Sequence, residues 1–243
     1  MADTKVALVI GAGDATGGAV ARRFARAGYT ACVTRRTAEK LEPLVAQIKA
    51  EGGKAHGFGS DTRREDDMIS LITSIERDIG PIEVAVFNVG GNVRFGIRET
   101  TVRVYTKVWE MCALGGFLLG REAAKVMVPR GRGTIIFTGA TASLRGGVGY
   151  SAFAGGKHAL RALAQSIARE LGPHGIHVAH VVIDGGIDTA FIQQRRGEGY
   201  AEAKANGGIL DPEAIAETYW NLHCQVRSAW THELDLRPWS EKW

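Results

Sequence analysis

At 243 residues, with 45% hydrophobic and 23% charged side chains, the chain can bury a full core as one soluble globular domain over residues 1–243. The net charge of +4 is mild, and basic residues stand in pairs such as Arg35-Arg36, Arg63-Arg64 and Arg195-Arg196, not in the tracts of a nucleic-acid binder. Cys32, Cys112 and Cys224 are too far apart for a disulfide framework or a metal site, no apolar run approaches the about 18 residues of a membrane span, and Met-Ala-Asp-Thr-Lys carries no apolar leader; a cytoplasmic protein is expected, with no metal, nucleic acid or membrane.

The apolar run Val6-Ala7-Leu8-Val9-Ile10 stops at Gly11 and reads as a fully buried strand. A helix follows over 19–27, closed by Gly28, then a strand over 30–34. Residues 38–51 read as a helix ended by Gly52-Gly53, and 55–58 as a strand leading to Asp61. A helix over 64–79 is stopped by Gly80-Pro81, and a strand over 82–87 leads into Asn88-Val89-Gly90-Gly91. One long helix is predicted over 102–128, a strand over 133–138, a helix over 150–171 and a strand over 176–183. Residues 186–208 receive no assigned conformation. Pro212 opens a helix to about 227, and a short strand is expected over 233–236. Strands alternating with helices imply an α/β doubly wound parallel sheet of the Rossmann type, covered on both faces, with its ligand at the carboxyl ends of the strands.

Directly after the first strand comes Gly11-Ala12-Gly13-Asp14-Ala15-Thr16-Gly17-Gly18. Small residues allow a tight strand-to-helix turn, and a helix N-terminus offers free N–H groups and partial positive charge to a pyrophosphate. Later come Asp61-Thr62, Asn88-Val89-Gly90, and Asp184-Gly185-Gly186-Ile187-Asp188-Thr189. In this order the segments resemble the short-chain dehydrogenase/reductase family over nearly the whole chain. In the family's Thr-Gly-x-x-x-Gly-x-Gly pattern, Ile10 replaces the threonine and Ala15 the middle glycine; Asp184 replaces the proline of Pro-Gly-x-x-x-Thr. The resemblance implies a dinucleotide held by Gly11, Gly13, Asp14, Ala15, Thr16 and Gly17, by Asp61 and Thr62 at the adenine, by Asn88, Val89 and Gly90, and by Lys157 and Thr189 near the nicotinamide. Thr34-Arg35-Arg36 ends the second strand where a carboxylate would select NAD. Guanidinium groups there favour NADP, with NAD as the alternative.

The family's Tyr-x-x-x-Lys appears as Phe153-Ala-Gly-Gly-Lys157. Phenylalanine has no proton to give. The family's serine position falls at Ala140 or, one residue on, Thr141, and its asparagine at Cys112. Three of the four groups are altered, and the chain resembles a subgroup with Phe for Tyr and the Lys kept. Tyr150, seven residues before Lys157, gives a Tyr-x6-Lys spacing similar to the enoyl-thioester reductase branch; packing or lining the pocket is its other reading. Thr141 and Ser143 either meet a substrate oxygen or satisfy loop backbone. Lys157, Tyr150, Thr141 and Phe153 are thus the candidate catalytic positions. The expected function is an NADP-dependent oxidoreductase of a small carbonyl or alcohol with a degenerate catalytic set. The alternatives are enoyl-thioester reduction through Tyr150 and Lys157, and NADP binding without turnover. Helices 102–128 and 150–172 carry many small and apolar residues, and the resemblance implies a homodimer or homotetramer.

Overall fold

A computed structural model describes residues 4–241; residues 1–3 and 242–243 of the predicted domain and leader reading lie outside the described residues. Seven parallel strands form one sheet in the order β3-β2-β1-β4-β5-β6-β7: β1 Val6–Ile10, β2 Thr30–Arg35, β3 Lys54–Gly59, β4 Ile82–Phe87, β5 Gly133–Thr138, β6 Ile176–Ile183 and β7 Glu233–Leu236. The sequence order runs outward in one direction from β1 and in the other from β4. That reversal opens a crevice at the strands' carboxyl ends.

Strand side chains alternate between two cores, as a period of two demands. Ala7 and Val9 of β1 join one apolar cluster, while Val6, Leu8 and Ile10 join the other. Helices α1 Thr16–Arg26, α2 Glu42–Ala50 and α9 Pro212–His223 cover the first face. Phe24 and Trp220 meet edge-to-face at 5.4 Å there. Helices α3 Glu65–Asp78, α5 Gly115–Met127 and α6 Ser151–Leu171 cover the second.

Several elements depart from the sequence reading. Helix α1 begins at Thr16, three residues early, because Gly17 and Gly18 pack into the turn instead of preceding the helix. The helix predicted over 102–128 is interrupted: α4 Val102–Trp109 passes through one π turn, Glu110–Leu114, into α5. Helix α9 stops at His223, four residues short, where His223 hydrogen-bonds Tyr29 and Thr134. The unassigned 186–208 segment holds two short helices, α7 Ala190–Arg196 and α8 Gly199–Ala205. Among the described residues no helix is long and apolar enough to cross a membrane, and no His, Cys, Asp or Glu group could hold a metal.

Candidate functional site

The first strand and its turn build one end of the crevice. Gly11 has φ +83°, and a Cβ there would lie 2.7 Å from the Asn88 carbonyl oxygen; a Cβ on Gly17 would lie 2.5 Å from the Gly11 oxygen. Both positions exclude a side chain, and Asn88 Nδ2 donates to the Gly11 carbonyl at 3.1 Å, tying β4 to the turn. Gly13 differs: a Cβ there would meet only the Arg35 guanidinium at 3.6 Å, so packing within the chain does not demand its glycine. No side chain caps the N-terminus of α1, where Ala15 is the N-cap. Thr16 beside it is buried, and its hydroxyl has no hydrogen-bond partner among the described residues. Uncapped helical N–H groups together with an orphaned hydroxyl suit an anion.

A side chamber opens from this turn along β2 and β3, lined by Thr34, Arg35, Arg36, Lys40, Ser60 and Thr62. Arg35 lies 3.6 Å from the Asp14 carboxylate and donates to the Lys40 carbonyl. Arg36 is exposed and makes no ion pair among the described residues. Asp61 is gripped by its neighbour: Arg63 Nε and Nη2 donate to its two oxygens at 2.9 and 2.5 Å, and this pairing holds its carboxyl down at about 2. Asp61 therefore meets any ligand with both oxygens engaged, an arrangement the sequence pattern did not disclose. Ser60 is a second buried hydroxyl without a partner among the described residues, and the sequence reading missed it. Its only signal is its place at the end of β3, one residue before Asp61.

The main cavity, about 1320 Å³, runs from the glycine turn past Gly90, Thr138 and Lys157 to the segment after β6. Lys157 is buried on α6, and its Nζ donates to the carbonyls of Val89 at 3.0 Å and Thr138 at 2.8 Å. Burial pushes its pKa down, and Cys112 nearby opposes that shift. Cys112 itself is fully buried on the π turn, where α6 passes so close that a Cβ on Gly156 would sit 3.0 Å from the Cys112 Cβ. Phe153 lines the cavity one turn before Lys157, its ring 6.0 Å from Nζ, and packs with Val108, Cys112, Ala142 and Ala152.

Tyr150 stands outside α6 as its N-cap residue, not two turns up the helical face as the spacing predicts. Its side chain lines the cavity, and its hydroxyl accepts from Arg195 of α7 at 3.4 Å. Thr141 also lines the cavity, but its hydroxyl donates to the buried carboxylate of Asp184 at 2.5 Å. Arg145 and Arg237 approach that carboxylate at 4.0 Å each. With its proton committed to Asp184, Thr141 faces the cavity with lone pairs. Ser143 is fully buried and accepts from the Ala140 N–H, so it serves the loop. Thr189 reaches the cavity and caps α7, accepting from the Ile192 N–H.

Behind the site lies a network with no sequence signal. Arg161 grips Glu233 through two hydrogen bonds of 2.7 Å, and Glu233 accepts from His180 Nδ1 at 2.9 Å. His180 is fully buried, and desolvation pushes it down to about 4 in spite of Glu233. Its Nε2 fills the space where a Cβ of Gly139 would stand, at 2.5 Å.

Comparison with known proteins agrees with this architecture. Residues 5–199 match the family described as short chain dehydrogenase. Zerumbone synthase of Zingiber zerumbet is 33% identical over 179 residues, which cover 72% of this chain and 66% of that protein, just under two thirds of its length. A short-chain dehydrogenase from Rhodopseudomonas palustris superposes with a TM-score of 0.83 at 46% identity, covering 97% of this chain and 99% of that one. A variant of actinorhodin polyketide ketoreductase, solved with NADPH, shares the fold with a TM-score of 0.87 at 23% identity, over 97% of this chain and 96% of the other.

Proposed function

The chain belongs to the short-chain dehydrogenases, and on that footing we propose that it is an NADP(H)-dependent oxidoreductase of a small carbonyl or alcohol, with its proton donor displaced from the family's tyrosine position. The observation that carries this reading is Phe153 on the cavity wall beside the retained Lys157, with the Tyr150 hydroxyl in the same cavity. It is the subgroup with Phe for Tyr that the sequence resembles, and residues 1–243 are taken as its one domain.

The residues present fit a phosphorylated dinucleotide. The uncapped α1 N-terminus, the orphaned Thr16 hydroxyl and the open face of Gly13 match a pyrophosphate. The orphaned Ser60 hydroxyl with Arg35 and Arg36 matches a phosphorylated ribose. NADPH in the actinorhodin ketoreductase supports the same choice. Bound there, the cofactor would supply or take a hydride.

The chain's own groups divide the remaining work. Lys157 fixes the loop after β4 against the end of β5 through its two hydrogen bonds. Tyr150 accepts from Arg195, which leaves its own proton available to a substrate oxygen. Thr141 donates to Asp184 and so faces a ligand as an acceptor, which orients a donor such as an alcohol hydroxyl. Tyr150 also keeps enoyl-thioester reduction as the second reading, since that reaction places a phenol near a thioester carbonyl. The exposed apolar side chains Tyr105 and Trp109 on α4 and Phe117 on α5 support a homodimer or homotetramer, which light scattering at micromolar concentration tests.

Following NADPH absorbance against panels of ketones and enoyl thioesters tests the activity. Consumption is expected with one panel, and Tyr150→Phe should slow it by about 100-fold or more if the phenol is the general acid. Tight NADPH binding with neither panel consumed would leave a nucleotide-binding protein without turnover.

A further inference from the structure

The arginines of this chain are mostly paired. Arg22 meets Glu213 at 2.5 Å, Arg121 meets Glu65 at 2.6 Å, Arg130 meets Glu76 at 2.8 Å and Arg132 meets Glu83 at 3.0 Å. Around the Tyr150 end of the main cavity the pattern breaks. Arg94, Arg195 and Arg196 are exposed and have no carboxylate within 4.0 Å among the described residues. Among the described residues the one carboxylate within 4.0 Å of Arg145 is Asp184, at 4.0 Å, which Thr141 already engages at 2.5 Å and Arg237 approaches at 4.0 Å.

Two of these cations stand at Tyr150, and three line one cavity. Arg195 Nη2 reaches the Tyr150 hydroxyl at 3.4 Å, and the Arg94 guanidinium lies 5.8 Å from the Tyr150 ring centre. Arg145, Arg195 and Arg196 line the same cavity as Lys157. Most carboxylates on that cavity are occupied elsewhere. Asp188 is held by Lys204 at 2.7 Å and by Tyr200, Glu213 by Arg22, and Asp211 caps α9. Asp14 pairs with Arg35 at the glycine turn, and Glu241 stands at Gly185 beyond the end of β6. This part of the cavity thus carries Arg195 and Arg196, guanidinium forks with no carboxylate within 4.0 Å among the described residues, and Arg145, whose contact with Asp184 is a long one of 4.0 Å. Planar forks of this kind match a carboxylate or phosphate.

We propose that the cavity takes a substrate bearing a terminal oxyanion, a carboxylate or a phosphate monoester, gripped by Arg195 and Arg145 beside Tyr150. This rests on the oxidoreductase reading for the reacting carbonyl or alcohol of the same molecule, but the anion grip itself is a binding property.

The test uses the full chain saturated with NADPH, so that Arg35 and Arg36 are occupied. Calorimetric titrations at constant ionic strength compare pyruvate, acetoacetate and levulinate with their methyl esters, and dihydroxyacetone phosphate with dihydroxyacetone. At least one oxyanion should bind about tenfold or more tightly than its neutral partner, the effect of one charge-assisted contact. The acid and phosphate arms tell which oxyanion fits. The preference should shrink as salt is added. The double substitution Arg145→Gln and Arg195→Gln, both at exposed positions, should remove the preference and leave NADPH affinity in place. If no oxyanion outbinds its neutral partner, or the preference survives in the double variant, the proposal is overturned. Absorbance of NADPH in the same solutions reports the redox reading separately. A preference without consumption keeps the anion site and removes that reading; consumption of neutral ketones with no preference does the reverse.

Discussion

Lys157→Met is the most informative perturbation of the site, because it separates two roles of one side chain. The methionine keeps most of the apolar stem but removes the ammonium that donates to Val89 O at 3.0 Å and Thr138 O at 2.8 Å. Each carbonyl left unpaired in a buried place costs about 1–3 kcal/mol. Burying the charge in the wild type carries its own desolvation cost, which pushes the Lys157 pKa down and is relieved in the variant. The net loss is about 3 kcal/mol, which lowers Tm by about 6–12 °C for a chain of this size. Urea unfolding of the cofactor-free protein, followed by tryptophan fluorescence, measures this term alone. NADPH titration of the folded variant measures the second role. A lost charge-assisted contact of about 1.5 kcal/mol to the nicotinamide ribose raises Kd roughly tenfold. A variant with wild-type stability would show that the two carbonyl contacts support nothing. A variant with wild-type NADPH affinity would show that the nicotinamide does not lie beside α6.

Phe153→Tyr should leave NADPH binding nearly unchanged and create or raise carbonyl reductase activity in the NADPH assay, since the new phenol would stand one helical turn from Lys157. Loss of an existing activity in that variant would mean the native reaction needs the apolar ring. Arg35→Asp should shift affinity from NADPH toward NADH in fluorescence titrations, because a carboxylate repels the extra phosphate that the guanidinium attracts; equal affinities for both cofactors in the wild type would remove the argument. Stability should fall as the solution is acidified. His180 and His223 are held down at about 4 by burial, while their unfolded values lie near about 6.5. Their stabilising contribution is complete above about 6.5 and is lost as the pH falls from there through 4. Each contributes about 3 kcal/mol across that window. Urea midpoints that stay constant between these limits would contradict it.

The local order of this protein is written in neighbouring residues. Short apolar runs such as Val6–Ile10 and Val84–Phe87, the stops at Gly28, Gly52 and Gly80, and Pro212 behind its Asp211 cap each act within a few positions. Their alternation determines the parallel sheet, and with it the end of the sheet where a ligand belongs. The glycines of the turn were legible for the same reason: the φ of +83° at Gly11 and the 2.5 Å approach of the Gly11 oxygen to a Gly17 Cβ arise within the turn, whereas the Asn88 carbonyl over Gly11 comes from the fold. Tertiary structure alone decided how polar groups pair across the chain. The commitment of Thr141 to Asp184, the two carbonyls under Lys157, Arg195 at Tyr150, and Arg161 with Glu233 and His180 all join separate segments. The π turn over 110–114 and the orphaned hydroxyls of Thr16 and Ser60 depend likewise on what the fold brings near them. A hydrogen bond needs a partner within about 3 Å and in line, and proximity of that kind is a property of the packed chain, carried by no single stretch of it.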